Sequence, residues 1–295
     1  MSNRGYFSKN LARILSVVIA LACLLCGPVM AVDKTAAKTG GATGTPGRYL
    51  PMDAEVTYAE AFPDKNFLQE VLAFHGGERT GASLITEADM SAMAIETSLD
   101  LDAKNIEDLT GIEYFSGLTG LRCSNNKLTS LDVSKNTKMQ GLSCANNGMT
   151  TLILPQNGPL LSIYCAGNNL TALDVSKCTS LEVLSCFHNK LTSLNVSQNT
   201  ALTYLHCSDN PLATLNVASN AQLETLYCSA NGLKSLDVTN NKQLTSFDCS
   251  DNGLTALNVA QNTELFLLNC NGNEIPALDV TNNTKLSFLH CGGNK

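Results

Sequence analysis

The chain has 295 residues, with 19 basic against 26 acidic side chains and a formal charge of −7. That balance offers no electrostatic reason to hold DNA or RNA, and it opposes adsorption on anionic lipid. Tryptophan is absent and cysteine occurs twelve times, so the first questions are the compartment and the state of the thiols.

Residues 1–31 read as a secretory signal peptide. Arg4, Lys9 and Arg13 supply the positive start, Ile14 to Ala22 the apolar run, and Val29-Met30-Ala31 a cleavage point after Ala31. The run is short and ends at Gly27-Pro28, which argues against membrane insertion after cleavage. Cys23 and Cys26 fall inside the discarded piece, and Ala20 stands where a lipoprotein signal carries leucine, three residues ahead of Cys23. Removing the peptide moves the formal charge from −7 to −10. Residues 32–58, with Thr39-Gly40-Gly41-Ala42-Thr43-Gly44, read as a flexible linker. Residues 59–97 are expected to form a helical cap. One amphipathic helix follows Pro63-Asp64 with Phe67, Leu68, Val71 and Leu72. Another opens at Thr86-Glu87-Ala88-Asp89, a capping-box start, and continues through Met90, Met93 and Ala94.

From residue 98 to 295 the sequence repeats. Cysteines stand at 123, 144, 165, 186, 207, 228, 249, 270 and 291, every interval being 21, and each is followed three residues later by asparagine, Asn126 to Asn294. Two residues before each cysteine is Leu, Ile or Phe, and Leu and Val columns follow further round the coil. The consensus LxxLxCxxNxLxxL(D/N)VxxNxx is similar to the leucine-rich repeat, with cysteine replacing one core leucine. It predicts a right-handed, β-rich leucine-rich-repeat solenoid of parallel strands, about nine coils long, in which alternate side chains face inward. A second asparagine column is expected thirteen residues after the cysteine, at Asn136, Asn157, Asn199, Asn220, Asn241, Asn262 and Asn283. The LDV/LNV segments predict a second extended stretch, because a 21-residue coil of Val and Asn leaves no room for a helix. The first coil carries Leu99, Leu101, Ile106, Leu109 and Ile112, runs 22 residues from Leu101 to Cys123, and has Lys104 where later coils carry Asn. An atypical terminal unit suits the covered end of such a stack.

The segments FPDKNFLQEVL, ITEADM and IEDLTGIEYFSGLTGLRCSNNKLTSLDVS resemble bacterial secreted leucine-rich-repeat proteins of the internalin family. The resemblance spans about residues 58–295. It implies an extracellular or surface-attached protein acting as an adhesin or host-protein binder. The acidic calcium loop that relatives often carry is absent from His75-Gly76-Gly77-Glu78-Arg79-Thr80-Gly81, so no calcium or other cofactor is expected. The sequence stops within a repeat, at Cys291-Gly292-Gly293-Asn294-Lys295, and shows neither a C-terminal cap nor a wall-sorting signal.

Three states compete for the cysteine ladder. Neighbouring rungs are near enough for disulfides, but stacked side chains run parallel and nine cannot all pair. A zinc site needs four converging ligands, and no two cysteines after residue 31 are closer than Cys178 and Cys186. Buried, reduced, apolar thiols are the reading that fits a core column. Cys178 stands apart, in the second asparagine column, and is expected to be the thiol that reacts before denaturation. Catalysis is not expected: no nucleophile elbow, phosphate loop or HExxH occurs, and a coil spreads its polar groups in columns.

The outward strand positions carry the candidate site. Tyr164, Phe187, His188, Tyr204, His206, Tyr227 and Asp248 should gather on the concave face, with His188 beside Asp209. Aromatic side chains flanked by small polar ones are typical binding anchors. The expected function is an exported, non-enzymatic, monomeric binding protein with a protein or glycan partner, without nucleic acid. The alternative is a structural spacer, or a fragment of a larger surface protein, with no ligand of its own.

Overall fold

The computed structural model describes residues 55–295. The expected signal peptide, 1–31, and nearly all of the expected linker, 32–58, lie outside the described residues. Regular structure begins slightly ahead of residue 59. Thr57 accepts from the Glu60 backbone and receives the Glu60 carboxylate in return, capping helix α1, Tyr58–Ala61. Thr57 also bridges Leu84, and Tyr58 is fully buried.

Helix α2, Lys65–Phe74, starts at Asp64, whose Oδ1 accepts the N–H groups of Asn66 and Phe67, both at 2.9 Å. Asp64 Oδ2 reaches across to Glu107 N at 2.8 Å and Asp108 N at 3.3 Å, tying the helix to the first coil. Burial alone would raise this carboxyl, but four backbone donors hold it below its ordinary range. Helix α3, Glu87–Ile95, is capped reciprocally by Thr86 and Asp89. Phe62, Phe67, Val71 and Met93 join the repeat core from this side.

The strands are short. They are β1 Ser98–Asp100, β2 Gly120–Arg122, β3 Ser130–Asp132, β4 Gly141–Ser143, β5 Thr151–Ile153, β6 Ser162–Tyr164, β7 Val183–Ser185, β8 Tyr204–His206, β9 Thr225–Tyr227, β10 Ser246–Asp248, β11 Leu267–Asn269 and β12 Phe288–His290. Ten form one parallel sheet in the order β1-β2-β4-β6-β7-β8-β9-β10-β11-β12. The pairing advances by 21 residues per coil, as Leu205↔Leu226 shows; the first step, Leu99↔Leu121, spans 22. β3 and β5 form a second, two-stranded parallel sheet from the SLD and TLI segments. Later LDV/LNV segments run without strand pairing. After β1, the helical element among the described residues is a 3-10 turn at Ile112–Tyr114.

The ladder cysteines from Cys123 to Cys270 are at most 1 % exposed and unpaired. Burial pushes the Cys207 thiol up to about 12, which removes the thiolate at physiological pH. A thiol is smaller than a leucine side chain, so strands can close over it without leaving a void.

Each asparagine of the first column serves both sides of its turn. Asn189 Nδ2 donates to the carbonyls of Cys165, Cys186 and Phe187 at 3.1, 3.0 and 3.3 Å, while its Oδ1 accepts Leu170 N at 3.0 Å. Only an amide supplies both roles from one atom pair. Two residues after each cysteine the backbone turns left-handed, with φ between +51° and +66° from Asn125 to Gly293.

The second asparagine column is real but interrupted. Asn220 Nδ2 donates to the carbonyls of Val196 and Asn199 at 3.0 and 2.8 Å, and Asn241, Asn262 and Asn283 repeat the pattern. Asn157 departs from it: exposed, at φ +59°, with no side-chain hydrogen bond among the described residues. The cause lies two and four residues earlier. Other coils fold this turn by an Asx bond, Ser176 N to Asp174 Oδ1 at 2.9 Å being one. Here Ile153 has no acceptor and Pro155 no N–H, so the chain leaves by another path. One coil on, Cys178 occupies an interior place where the column would put asparagine. It is 1 % exposed, and burial pushes its thiol up to about 11. That overturns the expected reactivity of Cys178; the exposed ladder thiol is Cys291.

Candidate functional site

Because strand side chains alternate, the residue before each cysteine points away from the core. The register aligns them in one row: Ser143, Tyr164, Ser185, His206, Tyr227, Asp248, Asn269 and His290. A parallel row two residues earlier places Tyr204 between Val183 and Thr225.

On β7 to β9 these rows become an aromatic cluster. Phe187 stacks on His206 with ring centroids 4.2 Å apart and planes 16° from parallel. Tyr227 stands perpendicular to both His206 and Tyr204, at 5.3 and 6.0 Å and interplanar angles of 85° and 84°. His188 leans on Phe187 at 5.4 Å and sets Nδ1 3.3 Å from Asp209 Oδ2. Of the seven expected residues, five are therefore linked through their rings. Asp248 adjoins Tyr227 in the row. Tyr164 lies two strands from His206, with Ser185 between them.

The electrostatics follow from burial. His206 is packed under its neighbours, and desolvation lowers it to about 4, with Asp248 opposing and His188 reinforcing the shift. It is neutral at pH 7, and its Nδ1 is buried without a partner. Burial also raises the Tyr227 phenol, whose oxygen lies 3.0 Å from Ser246 Oγ. Asp248 is fixed by its neighbours: Oδ1 accepts Ser250 N and Oγ at 2.9 and 2.7 Å, and Oδ2 accepts Asn269 Nδ2 at 3.0 Å. The 21-residue step puts Asn269 beside Asp248 in the outward row, whereas Ser246 reaches Tyr227 diagonally, 19 residues on, a contact the repeat period does not announce.

In the cap, Asp89 accepts Arg79 at 3.0 Å and lies 3.8 Å from His75 Nδ1. Burial would raise its carboxyl, but Thr86 and Arg79 bring it down to about 2. This cluster joins the loop 75–81 to α3. Among the described residues no group of three or more His, Cys, Asp or Glu is placed to hold a metal ion, and no helix is long and apolar enough to cross a membrane.

A parallel sheet built one strand per 21-residue coil, a buried cysteine rung and asparagine-closed turns define a leucine-rich-repeat solenoid of the cysteine-ladder type. The chain is an internalin-like leucine-rich-repeat protein. It is 41 % identical over 81 residues to internalin J of Listeria monocytogenes serotype 4b (strain F2365), a match covering 28 % of this chain and 8 % of that protein. The solved functional domain of InlJ from Listeria monocytogenes, which includes a cysteine ladder, matches at 41 % identity and a TM-score of 0.63, over 82 % of this chain and 48 % of that one. Internalin C2 of Listeria monocytogenes, at 19 % identity and a TM-score of 0.57 over 74 % of this chain and 98 % of its own, shares the fold alone. The chain thus spans about half the length of the solved InlJ domain and less than a tenth of curated internalin J. No family model matches the chain.

Proposed function

We propose that this chain is an exported, non-enzymatic binding protein, adhesin-like and monomeric, which engages a protein or glycan partner through the outer face of its long sheet. The observation that carries this reading is the cluster of Phe187, Tyr204, His206 and Tyr227, half-buried on a regular strand face. Rigid aromatic anchors on a preformed surface lose little conformational freedom on binding, which is why they dominate interface energetics. Asp248 and the His188–Asp209 pair supply the polar rim. The similarity to internalin J supports an extracellular role.

The test replaces Phe187 and Tyr204 with serine, singly and together, and adds Tyr164→Ser and Tyr227→Ser. Retention is measured on host cells, matrix proteins and a glycan array, with circular dichroism confirming the fold. The reading expects the double variant to lose at least about tenfold in affinity, the equivalent of 1.4 kcal/mol. Unchanged retention of a folded variant would sink the site and leave the spacer role.

A further inference from the structure

The charged residues around the aromatic cluster are of one sign. The strand segments 161–167, 182–188, 203–209, 224–230, 245–251 and 266–272 contain Glu182, Asp209, Glu224, Asp248 and Asp251, and neither lysine nor arginine. Glu182 and Glu224 are exposed where the chain enters its strands; Asp209 and Asp251 are exposed where it leaves them. The aromatic rings lie between these two acidic margins. Farther down the sheet, Arg122 on β2 is engaged by Asp100 and Asp102. Lys127, Lys190 and Lys234 belong to the turns beyond the strands.

We infer that the partner presented to this face is a basic protein segment, with arginine as its main anchor. This rests on the binding role proposed above and narrows it. Aromatic faces carry negative potential and attract a guanidinium laid over them, more strongly where water is partly excluded. Tyr204, His206 and Tyr227 stand nearly perpendicular to one another, at 78°, 84° and 85°, so their faces turn in different directions around one patch. His206, kept neutral by burial, adds no repelling charge beside a cation. Asp248, one strand on from Tyr227, is held by three hydrogen bonds that fix both oxygens without neutralising them. A planar fork can stack on a ring and reach such a carboxylate at once, a geometry that a lysine ammonium does not match. From β8 to β10 the distance is about two strand spacings, roughly 10 Å, within reach of one extended arginine and its neighbour. A sialylated or sulfated glycan would meet repulsion from the same carboxylates.

The experiment titrates the full chain with hexa-arginine, hexa-lysine, a hexa-citrulline peptide of nearly the same shape without charge, and a panel of neutral oligosaccharides. Calorimetry or tyrosine fluorescence reads the binding. The expected result is saturable binding of hexa-arginine, weaker binding of hexa-lysine and none of hexa-citrulline, with affinity falling between 0.05 and 0.5 M salt, both about general screening concentrations. Asp248→Asn and Tyr204→Leu should each weaken hexa-arginine about tenfold, while Glu78→Gln, the same change of charge on the cap, should leave it unaltered. Equal losses from Glu78→Gln and Asp248→Asn would overturn the inference, since attraction would then be diffuse. So would citrulline binding as well as arginine, or an oligosaccharide whose binding Tyr204→Leu abolishes. If hexa-arginine fails while Tyr204→Ser still costs retention on host ligands, this inference falls and the binding role stands. If neither probe responds to the variants, both fall.

Discussion

Asn220 and Asn157 occupy the same position of the repeat, thirteen residues after a cysteine, yet replacing them with alanine should have unequal effects. Asn220 is fully buried and donates to two backbone carbonyls at 3.0 and 2.8 Å. Alanine would leave both acceptors without a partner in a dry interior, at about 1 to 2 kcal/mol each. Part of this is returned, because Asn220 Oδ1 is itself buried without a donor and disappears with the side chain. A net loss of about 2 kcal/mol follows, which for a chain of this size lowers Tm by roughly 4 to 8 °C. Asn157 is exposed and makes no side-chain hydrogen bond among the described residues, so Asn157→Ala should change stability by less than about 0.5 kcal/mol. Thermal and urea unfolding followed by circular dichroism would measure both. A Tm for Asn220→Ala within 1 °C of the parent, or an equal loss for Asn157→Ala, would refute the assignment of stability to the buried ladder.

Alkylation of the native protein followed by peptide mapping should label Cys291 and spare Cys123 to Cys270, Cys178 included; label at Cys178 at the rate of Cys291 would contradict its burial. His206 is held to about 4 when folded and returns to about 6.5 when unfolded, so the unfolded chain binds the extra proton as pH falls. Stability should therefore decline from pH 6.5 towards 4, by about 3 kcal/mol at most, and His206→Gln should flatten that limb; an unchanged slope would argue against a buried neutral imidazole. Ala230 sits at φ +52° with its side chain exposed, so Ala230→Gly should stabilise by about 1 kcal/mol in denaturant titration, and a loss would mean the left-handed turn carries no strain.

The repeat was legible because a solenoid imposes the same packing on every coil, and the same residue then returns at the same interval. Cys207, Leu205 and Asn210 each report one layer of that packing. The register also forecast that Phe187, Tyr204, His206 and Tyr227 would be neighbours. What a consensus conceals is its exceptions. Ile153 and Pro155 were visible, but their effect on Asn157 required knowing that the turn depends on an Asx acceptor and the N–H two residues on. Cys178 looked like a surface thiol because its column is filled by asparagine, a residue usually found outside; here that column is interior. Tyr58 was assigned to the linker because one buried aromatic at the edge of a polar segment leaves no periodic trace. In the candidate site, Ser246 and Asn269 orient Tyr227 and Asp248 through diagonal or neighbouring-strand contacts, which become apparent only once the register is fixed.

The sheet's hydrogen bonds run from one coil to the next, as from Cys207 N to the Tyr227 carbonyl at 2.9 Å, and therefore lie along the stacking direction. Tension applied between the two ends of the stack would load them in series rather than share the load across all ten strands. The molecule should then lengthen stepwise, each detached coil of 21 residues paying out about 70 Å of chain. Coils that have not yet detached keep their fold, because each 21-residue unit pairs only with its immediate neighbours.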